Sequence, residues 1–425
     1  MQYQNTLEFA RQLDAQDPLR AFRERFFIPR HNGQDTVYFT GNSLGLQPKA
    51  TRDYIGQELD DWARLGVEGH FQARNPWLHY HEQFPALLAP LLGAKPEELV
   101  AMNQLTVNLH LLMATFYRPT KGRYKILCEA KAFPSDQYAL ESQARLHGFD
   151  PADAIVEVHP RPGEHCLRED DILEAINQHG AQLALVLFGG VNYYSGQVLP
   201  MKVITDVAHN VGAYAGFDLA HAAGNVALKL HEWDVDFACW CSYKYLNSGP
   251  GSVAGAFIHE RHCRNTELPR MAGWWGYEKE TRFQMKPLFK AIPSAEGWQL
   301  SNAPVLSMAA HHAALDLFAE AGFEALCAKS RQLTGFLFHV LDAINAAQEV
   351  RVIEVITPRE EDARGCQVSM LMLQKGRDVF RALTDRGVIA DWREPNVIRV
   401  APVPLYNSFE DVWRFGEIIR EILGE

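Results

Sequence analysis

No hydrophobic run in the 425 residues reaches the roughly 18 apolar positions that a membrane-spanning helix requires. No block of lysine or arginine dominates any segment, and the net charge is −11 with a pI of about 5.9. Nucleic acid and anionic membrane are thereby disfavoured as principal partners. The opening residues Met1 to Asn5 are polar, without the apolar core of a secretion signal. Cysteine is sparse, seven residues without regular spacing, which suits a reducing cytoplasm. Cys239 and Cys241 share one face of a strand, but no second pair or histidine cluster accompanies them, so they read as core thiols. There is no internal repeat and no low-complexity segment.

The chain instead has a large apolar fraction, 47%, enough for a substantial core in two lobes. From about residue 99 to 246 short apolar strands alternate with helical stretches. Strands are predicted at Tyr124–Glu129, Ile155–Val158, Leu183–Phe188 and Tyr214–Leu219, with a further one running from Asp236 into a turn near Leu246. Strands with no polar face, separated by helices, predict an α/β fold: a mostly parallel sheet covered on both sides. Ligands in such sheets bind beyond the carboxyl ends of the strands. Residues 270 to 303, rich in glycine and aromatics, form a long irregular excursion of the kind that usually serves function. Residues 324 to 425 read as a smaller α+β lobe, with strands at Val350–Ile356, Cys366–Leu373 and Ile398–Val400. The expected division is 1–70 as an N-terminal segment packing on the small lobe and the active site, 71–320 as the large lobe, and 321–425 as the small one.

Lys244 stands in the apolar run Asp236 to Leu246, between Tyr243 and Tyr245. A buried ammonium is costly to desolvate, so such a lysine is either paired, neutral and nucleophilic, or snorkelling to water. Asp218 ends the strand of Gly216-Phe217-Asp218-Leu219-Ala220-His221. It either caps the chain there or pairs with a protonated ring nitrogen. A lysine for an aldehyde and a carboxylate for a pyridinium nitrogen together point to pyridoxal 5'-phosphate (PLP). His221 reads as a core histidine or a partner of that ring. Phe133 follows a strand end and can stack on a flat cofactor, while Asp136 can charge the next helix start. Leu105 and Thr106 open a helix, which is either an ordinary first turn or a phosphate cradle. Arg399, amid β-branched residues, needs an anion: a substrate carboxylate or an internal partner.

The blocks Gly41-Asn42-Ser43-Leu44-Gly45-Leu46, Phe133-Pro134-Ser135-Asp136, Gly216 to His221, Cys241-Ser242-Tyr243-Lys244-Tyr245, Gly273-Trp274, Ser301-Asn302-Ala303-Pro304 and Ile398-Arg399-Val400-Ala401-Pro402 resemble the kynureninases, in order, over nearly the whole chain. The resemblance implies a fold-type-I PLP enzyme, homodimeric, with active sites at the subunit interface. It implies hydrolysis of L-kynurenine or 3-hydroxykynurenine to anthranilate or 3-hydroxyanthranilate and L-alanine, in tryptophan breakdown or NAD synthesis. On the matching motifs, Lys244 is the cofactor lysine, Asp218 the ring-nitrogen partner and Tyr243 a neighbour of the phosphate or ring; the implied reaction makes Lys244 the base and Tyr243 the candidate acid/base aid. Phe133, Asp136, His221, Leu105 and Thr106 surround the cofactor, with Trp274 and Asn302 reaching in from the neighbouring subunit. Arg399, Ser43, His70 and Asn302 are implied to meet the substrate. One position departs: Gly189 stands where the family carries serine or threonine. The rivals are a cysteine desulfurase or class V aminotransferase of the same fold, and a non-catalytic PLP-binding protein.

Overall fold

The computed structural model describes residues 3–265 and 267–424. Its main sheet has seven strands: β1 Leu99–Ala101, β2 Lys125–Glu129, β3 Ile155–Val158, β4 Leu183–Gly189, β5 Tyr214–Asp218, β6 Phe237–Trp240 and β7 Gly255–Ile258. Their spatial order is β1-β7-β6-β5-β4-β2-β3. Strands β2 to β6 run parallel, while β7 is antiparallel to both β6 and β1. The central strands are buried on both faces, as their unbroken apolar runs require once helices cover the sheet. In register, Asp218 lies opposite Gly189 on β4 and Cys239 on β6. The carboxyl ends of three parallel strands therefore meet in one place.

Strand β6 is shorter than the apolar run predicts. It ends at Trp240, and Lys244 sits in the turn beyond, half-buried. The turn is closed by Asn247 N–H donating to the Lys244 carbonyl (3.0 Å), with Asn247 at φ +56°. Further towards the N-terminus, the chain forms a 3-10 turn over Trp77–Gln83 and becomes α-helical only from Phe84. Pro85 fits the first turn of a helix, where no N–H is needed.

The smaller lobe is a four-stranded antiparallel sheet: β8 Ile353–Val355, β9 Val368–Met372, β10 Asp391–Arg393 and β11 Val397–Val400, in the order β8-β9-β11-β10. The N-terminal chain joins it. Ala10 and Leu13 of the helix Leu7–Gln16 share a core with Phe336, Val340 and Phe415. The two-residue strand Val37–Tyr38 pairs in parallel with Val388–Ile389, and Thr40 bridges to Ala401. The turn that follows runs back to the large sheet, where Gly45 N–H donates to the Tyr243 carbonyl (2.8 Å). The N-terminal segment thus links the small lobe to the lysine turn.

Candidate active site

The strand ends line a pocket open to solvent. Asp218 ends β5, Glu129 ends β2 and Gly189 ends β4, and all three line it together with Lys244. Asp218 is buried and accepts from Ala220 N–H at 2.6 Å. Burial pushes its carboxyl upward, against that hydrogen bond and the nearby Lys244. Asp136 is driven well above the carboxylate range by burial and by the charge of Asp218. Asp136 therefore holds a proton and Asp218 carries the charge.

Lys244 Nζ lies 3.1 Å from His221 Nε2 and 5.7 Å from the centre of the Phe133 ring. Burial and the adjacent lysine hold His221 well below the usual imidazole range. A neutral His221 can accept at Nε2, so the ammonium donates to it. Tyr243 is half-buried, and burial raises its phenol above the ordinary value.

Opposite the lysine, two helices begin without side-chain caps: Leu105–Phe116 after Gln104, and Pro134–Leu146 after Phe133. Free N–H groups at helix starts attract anions. The hydroxyls of Thr106 and Ser135, from these two first turns, stand 2.8 Å apart on the pocket wall. PLP needs an anion cradle, an aromatic face, a carboxylate for its ring nitrogen and an amine for its aldehyde. The pocket supplies one of each, and the buried Asp136 Oδ1 lacks a hydrogen-bond partner within the protein. The residues fit the group.

The structure thus brings together Leu105, Thr106, Phe133, Asp136, Asp218, His221, Tyr243 and Lys244. It leaves five predicted residues outside the pocket lining. Ser43 lies on the 40–46 turn and is exposed. His70 is half-buried, with Nδ1 2.9 Å from the Val67 carbonyl and its ring edge-on to Trp77. Trp274 is 45% exposed and packs edge-on to Trp275 and Phe283. Asn302 is exposed on the same excursion. Arg399 is buried and ion-paired to Asp391, and it donates to the Tyr193 carbonyl. Of the two anions open to Arg399 in the sequence, the internal partner is present. Its Nε remains without a hydrogen-bond partner.

Sequence reasoning passed over Glu129, Ser135 and Tyr193, all on the pocket wall. Tyr193 stands edge-on to Phe133 (5.4 Å between centroids) and 5.9 Å from the Arg399 guanidinium, so it connects the two. The available signal was position: Glu129 and Ser135 flank the same strand-to-helix turn as Phe133.

Comparison with known proteins is consistent with this geometry. A family profile described as "Kynureninase C-terminal domain" matches residues 326–419. Kynureninase from Flavobacterium psychrophilum is 56% identical over 422 residues, 99% of each chain. That from Myxococcus xanthus is 54% identical, covering 98% of this chain and 97% of its own. Among solved structures, an apo cysteine desulfurase from Thermococcus onnurineus superposes with a TM-score of 0.75 at 18% identity, covering 91% of this chain and 94% of its own. A complex of a cystine C-S lyase with cysteine persulfide does so with 0.75 at 18%, covering 90% and 97%. These two establish the shared fold, that of PLP enzymes of fold type I. Identity above half along essentially the full length decides the rest: the chain belongs to the kynureninase family of PLP-dependent hydrolases.

Proposed function

We propose that this chain cleaves the Cβ–Cγ bond of L-kynurenine, or of its 3-hydroxy analogue, by hydrolysis to the aromatic amino acid and L-alanine, at the pocket around Lys244. The observation that carries this reading is the convergence of Asp218, Phe133 and Lys244 on one pocket beside two uncapped helix starts. Bound PLP supplies an electron sink for carbanion chemistry at the substrate. The protein's own groups do the remainder. Asp218, ionised, favours a protonated ring nitrogen. Phe133 offers its face to the ring, and Thr106, Ser135 and the two helix starts hold the phosphate. Lys244, with its head fixed by neutral His221, is the amine that takes the α-proton. Tyr243 keeps its proton to high pH and is placed to donate it during cleavage. Arg399 is the candidate for the substrate carboxylate through its unpartnered Nε, with Asp391 fixing the guanidinium plane.

The same-fold rival that uses a catalytic cysteine finds little support. Cys366 is fully buried, and burial pushes its thiol up to about 12, so it supplies no thiolate at neutral pH. Two copies sharing their sites account for the exposed positions. Trp274 and Asn302 lie on an excursion that also exposes Met285 and Leu288, and Trp62, Val67 and Phe71 are exposed beside His70. Surface of this kind is covered by a partner in stable assemblies. The division into 1–70, 71–320 and 321–425 suits such a dimer. A cytoplasmic setting agrees with seven free cysteines among the described residues. No described helix is long and apolar enough to cross a membrane.

Two measurements test the reading. PLP-loaded protein given kynurenine is expected to release anthranilate, seen by its fluorescence, and no release at all would sink the assignment. Mixing K244A and N302A subunits is expected to restore about a quarter of wild-type activity, because half the dimers carry one intact site. No restoration, in subunits shown to exchange, would end the shared-site proposal.

A further inference from the structure

Three carboxyls, Glu129, Asp136 and Asp218, line the pocket, and Lys244 is the one lysine or arginine among its described lining residues. Like charges held together out of water cannot all ionise against a single cation. Asp218 carries the charge and Asp136 a proton, as described above, which leaves Glu129 to account for.

Glu129 is 3% exposed, and its Oε2 accepts the Gly189 N–H at 2.9 Å. Its Oε1 lies 3.1 Å from the point where a Cβ on residue 189 would stand. That separation is tighter than ordinary van der Waals contact. A side chain on residue 189 would therefore press on the carboxyl, which would have to give by a few tenths of an ångström to admit it.

We infer that Glu129 is a cofactor-facing residue of this enzyme, a carboxyl anchored by the Gly189 N–H on the wall of the ring pocket and able, as the acid, to offer its hydrogen into it. The inference rests on the PLP reading of the pocket. The groups facing Glu129 come from every neighbouring element: Asp218 from β5, Asp136 from the helix Pro134–Leu146, Lys244 and neutral His221 from the turns beyond the strands, and the Asn192 amide beyond β4. Burial raises Glu129 to about 7, Asp218 adds to the rise, and the Gly189 and Asn192 hydrogen bonds oppose it. Its acid form therefore predominates below neutral pH and is lost above it. Glutamine at this position reproduces the acid form: an acceptor for Gly189 N–H and a donor for the pocket.

The test is titration of the apoprotein with PLP, followed by fluorescence, for wild type, E129Q, E129A and G189S. E129A is expected to bind PLP about tenfold or more weakly than wild type, and E129Q within a few-fold of wild type at neutral pH. From about pH 6 to about pH 8, wild type is expected to lose affinity relative to E129Q, which keeps its donor throughout. Apo wild type should show an infrared carboxylic-acid band titrating near neutral pH, missing from E129Q. G189S should weaken PLP binding in the wild-type background and be tolerated in E129A, where the space is free. Binding by E129A equal to wild type at every pH, or a band unchanged in E129Q, overturns the inference alone. Failure of wild type to bind PLP overturns the cofactor reading and the inference with it.

Discussion

The side-chain nitrogens of Lys244 and His221 lie 3.1 Å apart, and the histidine is the acceptor because burial keeps it neutral. An acceptor at this point fixes the head of an otherwise flexible side chain. His221→Phe keeps the ring volume and removes the acceptor, so kcat/KM is expected to fall ten- to hundredfold, about 1–3 kcal/mol. His221→Asn, whose amide oxygen can accept, should recover part of the loss. Steady-state kinetics of the two variants decide it. Equal activity in H221F and wild type would show that the contact does not place the lysine.

Lys244 itself sits in a turn beyond β6, and its side chain reaches His221 and Phe133 on the pocket wall. Lys244→Arg is therefore expected to leave the thermal midpoint within a few degrees and to lower kcat by about a thousandfold or more, the scale of a lost proton-transfer group. A melting curve and a single-turnover assay separate these outcomes. A variant retaining more than a tenth of wild-type kcat would exclude Lys244 as the base.

Gly45 approaches the lysine turn more closely than a side chain allows. A Cβ there would collide with the Lys244 carbonyl and come within 2.8 Å of Asn247 Cα. The neighbours are largely backbone, so the turn itself must move. Gly45→Ala is expected to reduce kcat at least tenfold while the small lobe keeps its fold, since misplacing a catalytic group by about 1 Å costs on that order or more. Circular dichroism with kinetics checks it, and full activity would mean that the turn absorbs the methyl.

The parts of this site that were legible in the sequence are those set by local rules. Asp218, Phe133, His221 and Lys244 lie just after apolar strands, where a parallel sheet gathers strand ends whatever the remaining fold. What was not legible depends on partners distant in sequence or across a register. Arg399 faces Asp391 because β10 and β11 pair antiparallel with those two residues directly opposed, a register that no local pattern specifies. Glu129 looked like an ordinary strand-end acid, and only the approach of β4 brings Gly189 N–H to it. Lys244 was read as part of a buried strand because its neighbours from Trp240 to Leu246 are mostly apolar, yet the turn at Asn247 draws it out to the pocket.

The N-terminal segment is held to the small lobe by a buried ion pair, Lys329 to Asp17, at 2.7 Å with both side chains under a tenth exposed. Burial pulls Lys329 below its ordinary value, opposed by Asp17. Lys329→Met leaves Asp17 buried without its cation, which is expected to cost about 3–5 kcal/mol. Asp17→Asn in the same chain removes the stranded charge and should return much of that. Denaturant unfolding of the single and double variants measures both terms. A double variant no more stable than K329M would show that packing, not charge, is what the lysine contributes.

Acid sensitivity is expected from Glu296, on the irregular excursion, which accepts from His81 at 2.9 Å and from Lys279 at 2.8 Å. Burial acts upward on this carboxyl, but the two hydrogen bonds outweigh it and hold its pKa at about 2. A free glutamate titrates near 4.3. The folded value lies below the unfolded one, so the stabilisation is fully present above about pH 4.3 and is lost as pH falls toward about 2. A difference of this size corresponds to about 3 kcal/mol. Glu296→Gln removes the titration while keeping the shape. The stability difference between wild type and E296Q, from unfolding midpoints across this range, is expected to shrink steadily as the solution is acidified. A difference that stays constant from about pH 5 to about pH 2 would show that the carboxylate is not what ties His81 and Lys279 together there.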